Sequence, residues 1–213
     1  MNFEQNMTSY QIDLLKEAGN IGAGHAATAL SKIVGKVIEM KIPSVKMVSF
    51  GEMIDLAGGP EKEVAGIFLR IEGEMKGSMF LILSLSQAEA YAKVMTNDPS
   101  FCINTLPLTD MRLSALRELG NILSGSYLSA LSDFTGLHLF PTVPSLCIDM
   151  AGAIISQGLF SVSQSSDRAL VIDTVLSSAG NKEAFSLEAQ FFVLPDPESF
   201  DRLFYKLEVG FHD

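Results

Sequence analysis

The sequence predicts an α+β fold: one internally duplicated, pseudo-two-fold domain over residues 1–213, with a shared, mostly antiparallel sheet and two long helices on its outer face. Three observations predict it. A segment near the N-terminus recurs further along the chain at a constant offset of 101 residues. Each half then runs through helix, strands and helix in the same order. No tract between the halves is long or flexible enough to act as a free linker, and pairing the edges of duplicated units removes exposed strand hydrogen-bonding groups.

The repeat is ungapped. DLLKEAGNIGAGHAATALS, from Asp13, returns as SALRELGNILSGSYLSALS, from Ser114. Glu17, Asn20 and Gly24 map onto Glu118, Asn121 and Gly125, while Leu15, Gly19, Ile21, Ala29, Leu30 and Ser31 also find identical residues. The first repeat occupies residues 9–97 and the second 109–207; the alternative, two separable domains, would divide at NDPSFCINTLP, residues 97–107.

After the first helix, VIEMKIPSVKMVSF reads as two short strands broken at Pro43. EVAGIFLRIEG and MKGSMFLILSL alternate as a hairpin, and a helix covers residues 86–96. The second half supplies HLFPTV, PSLCIDM, RALVIDTVLS and EAFSLEAQFFVL as strands, then a last helix over residues 197–207. AGAIISQGLF, residues 151–160, is expected to be an extra helix where the first half has a glycine-containing loop, GEMIDLAGG.

Composition excludes several classes of function. With 47% hydrophobic and 19% charged residues the chain is globular rather than disordered. A net charge of −10 with scattered Lys and Arg offers no basic stripe for nucleic acid. The N-terminus lacks a secretory pattern, and no apolar run approaches the roughly 20 residues that span a bilayer, so a cytoplasmic protein without membrane insertion is expected. Cys102 and Cys147 stand apart and are expected to be reduced, partly buried thiols. His25, His138 and His212 show no ligand spacing, so no metal site is expected. GNIGAG has the wrong glycine spacing for a nucleotide loop and lies inside a helix.

The repeated helix carries the chemistry. At about 100° per residue, Asp13, Glu17, Asn20 and Gly24 fall on one stripe, extended by Thr28 and Ser31. Ile12, Leu15, Ala26, Ala29, Leu30 and Ile33 gather on the opposite, apolar face, which turns the polar stripe outward. Ser114, Glu118, Asn121, Gly125 and Ser132 form the same stripe in the second copy. A glycine inside a helix costs about 1 kcal/mol relative to Ala, so Gly24 and Gly125 on an exposed face point to the close approach of another backbone. A lone Glu-x-x-Asn is most often a solvated face; two copies with the same flanks ask for a use.

The pattern Asp/Ser-x-x-x-Glu-x-x-Asn-x-x-x-Gly, present twice, resembles the signature of the CheC family of phosphatases, and IFLRIEGEMKGSMF and AGAIISQGL extend the resemblance over nearly the whole chain. The resemblance implies a duplicated α/β fold, hydrolysis of the aspartyl phosphate of the response regulator CheY in chemotaxis, and binding of the receptor deamidase CheD. It implies Glu17, Asn20, Glu118 and Asn121 as catalytic residues, supported by Asp13, Ser114, Gly24 and Gly125. No cofactor of its own is expected, because Mg2+ sits on the phosphorylated response regulator. Asp149 is the candidate for the CheD surface, against the alternative that it is a buried helix cap. The rival from another class is a non-catalytic adaptor that sequesters CheD or phosphorylated CheY. Switch phosphatases of the superfamily usually carry a further C-terminal domain, so a flagellar switch role is not expected.

Overall fold

The structure is a computed structural model that describes residues 8–103, 110–159, 168–178 and 186–196, with Ser199, Arg202, Leu203, Tyr205 and Lys206 beyond them. The chain opens with α1, Ser9–Val34. Thr8 starts it through a capping box: its hydroxyl accepts from the Gln11 N–H, and the Gln11 side chain accepts from the Thr8 N–H. Gly35, at φ 69°, ends it in the left-handed conformation that a residue without Cβ adopts cheaply. There follow β1 (Ile38–Lys41), β2 (Val45–Ser49), α2 (Phe50–Leu56), β3 (Glu63–Gly73), β4 (Gly77–Ser84) and α3 (Leu85–Thr96). The second half contributes α4 (Asp110–Thr135), β5 (Leu139–Pro141), β6 (Ser145–Met150), α5 (Ala151–Leu159), β7 (Arg168–Ser178) and β8 (Ser186–Pro195).

The eight strands form one sheet in the order β1-β7-β8-β4-β3-β5, with β2 also on β7 and β6 also on β3. Every pairing is antiparallel. The halves meet at the centre, where β4 pairs β8 with Phe80 opposite Phe192. They also exchange edges: β1 and β2 of the first half pair with β7 of the second, and β5 and β6 of the second pair with β3 of the first.

Strand alternation sorts the core into two layers. Ala65, Ile67, Leu69 and Ile71 of β3, with Met79, Leu81 and Leu83 of β4, point to the face covered by α1, α3 and α4. Val64, Phe80, Ile82, Val171, Phe192 and Leu194 point to the other face, beneath α2 and α5. The two long helices also pack on each other, and Gly22 lets them: a methyl group there would fall 2.9 Å from the Tyr127 Cα. The small-residue face of α1 thus serves helix-on-helix contact as well as the sheet.

Three expectations need correction. GEMIDLAGG is not a loop, because its residues lie mainly in α2, so α5 is a counterpart rather than an addition. Ser49 and Glu52 close a capping box that starts this short helix. Ile33 is exposed, since the buried face of α1 ends at Leu30. Cys147 is exposed too: on β6, Ser145, Cys147 and Asp149 share the outward side while Leu146 and Ile148 pack against the core. Much of the last expected helix lies outside the described residues, and those described within it are helical.

Candidate functional site

On α1, Asp13, Glu17, Asn20 and Gly24 are all exposed. On α4, Ser114, Glu118 and Asn121 are exposed and Gly125 is half-buried. The apolar faces of both helices lie on the sheet and on each other, so the two acid–amide pairs point away from the core. A methyl group added at Gly24 or Gly125 would meet nothing within 4 Å. Both glycines therefore leave open space beside the pairs, which suits the approach of another molecule.

Other members of the repeated segment have structural work instead. Ser31 donates its hydroxyl to the Ala27 carbonyl and accepts from the Ile38 N–H at 2.9 Å, which fastens α1 to the start of β1. Ser132 repeats the second bond, accepting from the Leu139 N–H at 3.2 Å and fastening α4 to β5. Thr28 donates back to the Gly24 carbonyl along its own helix. Ser31 and Ser132 therefore drop out of the functional stripe.

Around the asparagines the copies part. The Asn20 Oδ1 accepts a long hydrogen bond, 3.4 Å, from the Ile42 backbone N–H. Ile42 is 3% exposed and lies beneath Gly19, its side chain 3.4 Å from where a Cβ would stand. Val143 occupies the matching position in the second repeat and is 86% exposed. The slot beneath Gly120 is filled by Ile67 of β3, whose Cγ2 lies 2.6 Å from the ideal Cβ position. The Asn121 carboxamide makes no hydrogen bond among the described residues.

The buried tyrosines of this layer differ as well. Tyr91, on α3, is buried against α4, and its phenol is held above the ordinary range by burial first and then by the Glu118 charge. Tyr127, next to Gly19, is raised by burial alone. Neither the Ile42 N–H nor Tyr91 was marked by the sequence. Ile42-Pro43-Ser44 and Val143-Pro144-Ser145 repeat in register and signal sameness rather than difference.

Asp149 stands apart from both pairs, exposed on the outer side of β6 where it leads into α5. Its Oδ1 accepts from the Met150 N–H at 2.7 Å, so it is not a buried cap. Among the described residues no group of three or more His, Cys, Asp or Glu side chains converges as a metal site, and no helix is long and apolar enough to cross a membrane.

Comparison with known proteins places this arrangement. The model of the CheC-like family matches residues 11–47 and 111–148, the two stretches that contain the acid–amide helices and the strands after them. The CheY-P phosphatase CheC of Bacillus subtilis is 44% identical over 207 residues, covering 97% of this chain and 98% of that protein. Among solved structures, Thermotoga maritima FliY superposes with a TM-score of 0.74 at 21% identity, covering 95% of this chain and 98% of that one. CheX from Borrelia burgdorferi, solved as a complex with CheY, BeF3 and Mg2+, gives a TM-score of 0.50 at 14% identity over 86% of this chain and 96% of that chain. A shared sheet with two outward acid–amide helices and a full-length relative at this identity lead to one assignment: the chain belongs to the CheC-like family.

Proposed function

We propose that this chain is a hydrolase of the aspartyl phosphate on a CheY-like response regulator, and that both repeats carry a working site. The observation that bears most weight is the outward Glu-x-x-Asn pair present twice, each with an open glycine one turn further on. The B. subtilis relative, a CheY-P phosphatase, supports the reaction and the partner.

The residue types limit the mechanism. A carboxamide does not titrate, so Asn20 or Asn121 acts by orientation: its oxygen accepts a hydrogen bond from a water and aims that water in line with the phosphorus. The water oxygen bonds to phosphorus as the bond to the aspartyl oxygen breaks, which yields a free carboxylate and inorganic phosphate. Glu17 or Glu118 pairs with a lysine of the response regulator and holds the complex in register. In this proposal the Mg2+ that offsets phosphoryl charge belongs to the response regulator, and this chain brings no cofactor of its own. Replacing both asparagines by alanine is expected to leave binding in place and return phosphate release to the response regulator's own rate. Unchanged hydrolysis would overturn the assignment, and the adaptor reading would take its place.

CheD is the second partner in this proposal, docked on the outer side of β6 around Asp149 and the start of α5. Asp149 supports this by being exposed at the sheet edge, with Met150 beside it 46% exposed. Asp149→Lys is expected to abolish CheD binding in a pull-down while phosphate release continues; retained affinity would remove this surface from consideration.

A further inference from the structure

The contact between the two long helices sets the directions in which their polar stripes point. A methyl group at Gly22 of α1 would fall 2.9 Å from the Tyr127 Cα and 3.0 Å from the Ser126 carbonyl oxygen of α4. At about 100° per residue, Asn20 stands about 160° round α1 from Gly22, and Glu17 about 140°. Round α4, Asn121 stands about 120° and Glu118 about 180° from Tyr127. Each acid–amide pair therefore faces away from the other helix. The sheet beneath separates them in the same sense. Ser31 fastens α1 to β1 at one end of the sheet, and the Asn20 carboxamide meets the Ile42 N–H just past that strand. Ser132 fastens α4 to β5 at the other end, and Gly120 lies over Ile67 of the adjoining β3. From β1 to β3 the order passes through β7, β8 and β4, a span of about 20 Å at the usual strand spacing.

We propose that one chain holds two response regulators at once, one on each flank of the helix pair, so that the two sites turn over independently. This occupancy rests on the hydrolase reading above. A response regulator of ordinary single-domain size, about 100 residues, has a radius of gyration of about 13 Å, hence a radius of about 17 Å. Two such bodies, touching points about 20 Å apart, clear each other once their directions of approach diverge by about 50°. Stripes that each turn more than about 100° away from the opposite helix exceed that divergence. Access is open on both flanks: Glu17, Asn20, Glu118 and Asn121 are exposed, and a methyl group at Gly24 or Gly125 would meet nothing within 4 Å.

Native mass spectrometry and sedimentation velocity count the copies bound when the full chain meets a response regulator held in its phosphorylated form by beryllofluoride and Mg2+. Wild-type protein is expected to reach two regulators per chain. Glu17→Lys and Glu118→Lys, both at exposed positions, are each expected to stop at one, and the double variant to bind none, because a lysine there meets the lysine of the regulator. Turnover gives a second readout. With phosphorylated regulator in excess, the wild-type kcat is expected to equal the sum of the kcat values of the two single variants. One regulator per wild-type chain, or a wild-type kcat between those of the two variants, would overturn the proposal, since sites that exclude each other behave so. The double asparagine variant separates this outcome from the hydrolase reading. Two regulators bound with hydrolysis undiminished would remove the catalysis and keep the occupancy. One regulator bound with hydrolysis lost would remove the occupancy and keep the catalysis.

Discussion

The two repeats keep the acid, amide and glycine of their long helices and the same serine tie from helix to strand, yet the residue that follows each tied strand is buried in one and exposed in the other. In the first repeat, 42–44 folds inward: Ile42 fills the space under Gly19, and Ser44 bonds to Asp173 of β7. In the second, the matching segment bonds to β3 as the first bonds to β7, but its apolar residue stays outside. Thr142 donates its N–H to the Arg70 carbonyl, the Arg70 N–H donates to the Thr142 hydroxyl, both at 2.9 Å, and Val143 is left in solvent. The reason is visible beneath the helix, where Ile67 of β3 already occupies the slot under Gly120. Duplication has therefore preserved what fastens each helix, while the long-range packing beneath it sets how free each asparagine is.

The largest contrast is expected in stability. Ile42→Ala should cost about 2–5 kcal/mol in chemical denaturation, the usual range for emptying a core site, while Val143→Ala should stay within about 0.5 kcal/mol. Comparable losses would mean that Val143 is covered in solution. A smaller difference is expected between Gly120→Ala and Gly19→Ala. The first puts a methyl 2.6 Å from the Ile67 Cγ2 and should cost about 1–3 kcal/mol by overpacking. At 3.4 Å the second needs only a slight yielding of the Ile42 side chain and should cost less, partly offset by the better helix propensity of Ala. If Gly19→Ala were the worse of the two, the inferred difference in packing would be reversed. The smallest effect is on turnover. Asn121→Ala should reduce phosphate release more than Asn20→Ala, by a factor of about 2 to 10, because Asn20 must surrender a bond to the Ile42 N–H of about 0.5–1.5 kcal/mol before its oxygen serves a water. Equal losses would show that this long bond is immaterial.

Much of the fold was legible because local patterns settle it. Strand alternation and the 101-residue repeat located β1 to β8, and helical periodicity turned Glu17, Asn20, Glu118 and Asn121 outward, as the structure has them. The helix α2 was missed although Ser49-x-x-Glu52 is a capping box, since seven residues beside paired glycines give little periodicity to read. Partner choice was beyond reach for another reason. Alternation assigns a side chain to a face but does not say that β1 and β2 pair with β7 while β5 and β6 pair with β3. For the same reason the fate of Asn121 was hidden, because it turns on Ile67, 54 positions earlier in the chain.

The exchange of edges also governs the order in which the chain can be completed. As it leaves the ribosome, β1, ending at Lys41, can find its place only after β7, which starts at Arg168, has been made. For most of translation the first half thus holds strands with unfilled main-chain donors and acceptors, a high-contact-order arrangement that folds slowly and invites chaperone capture. Closure waits on the arrival of the C-terminal strands, so truncated products of this gene expose the very edges that the finished molecule hides.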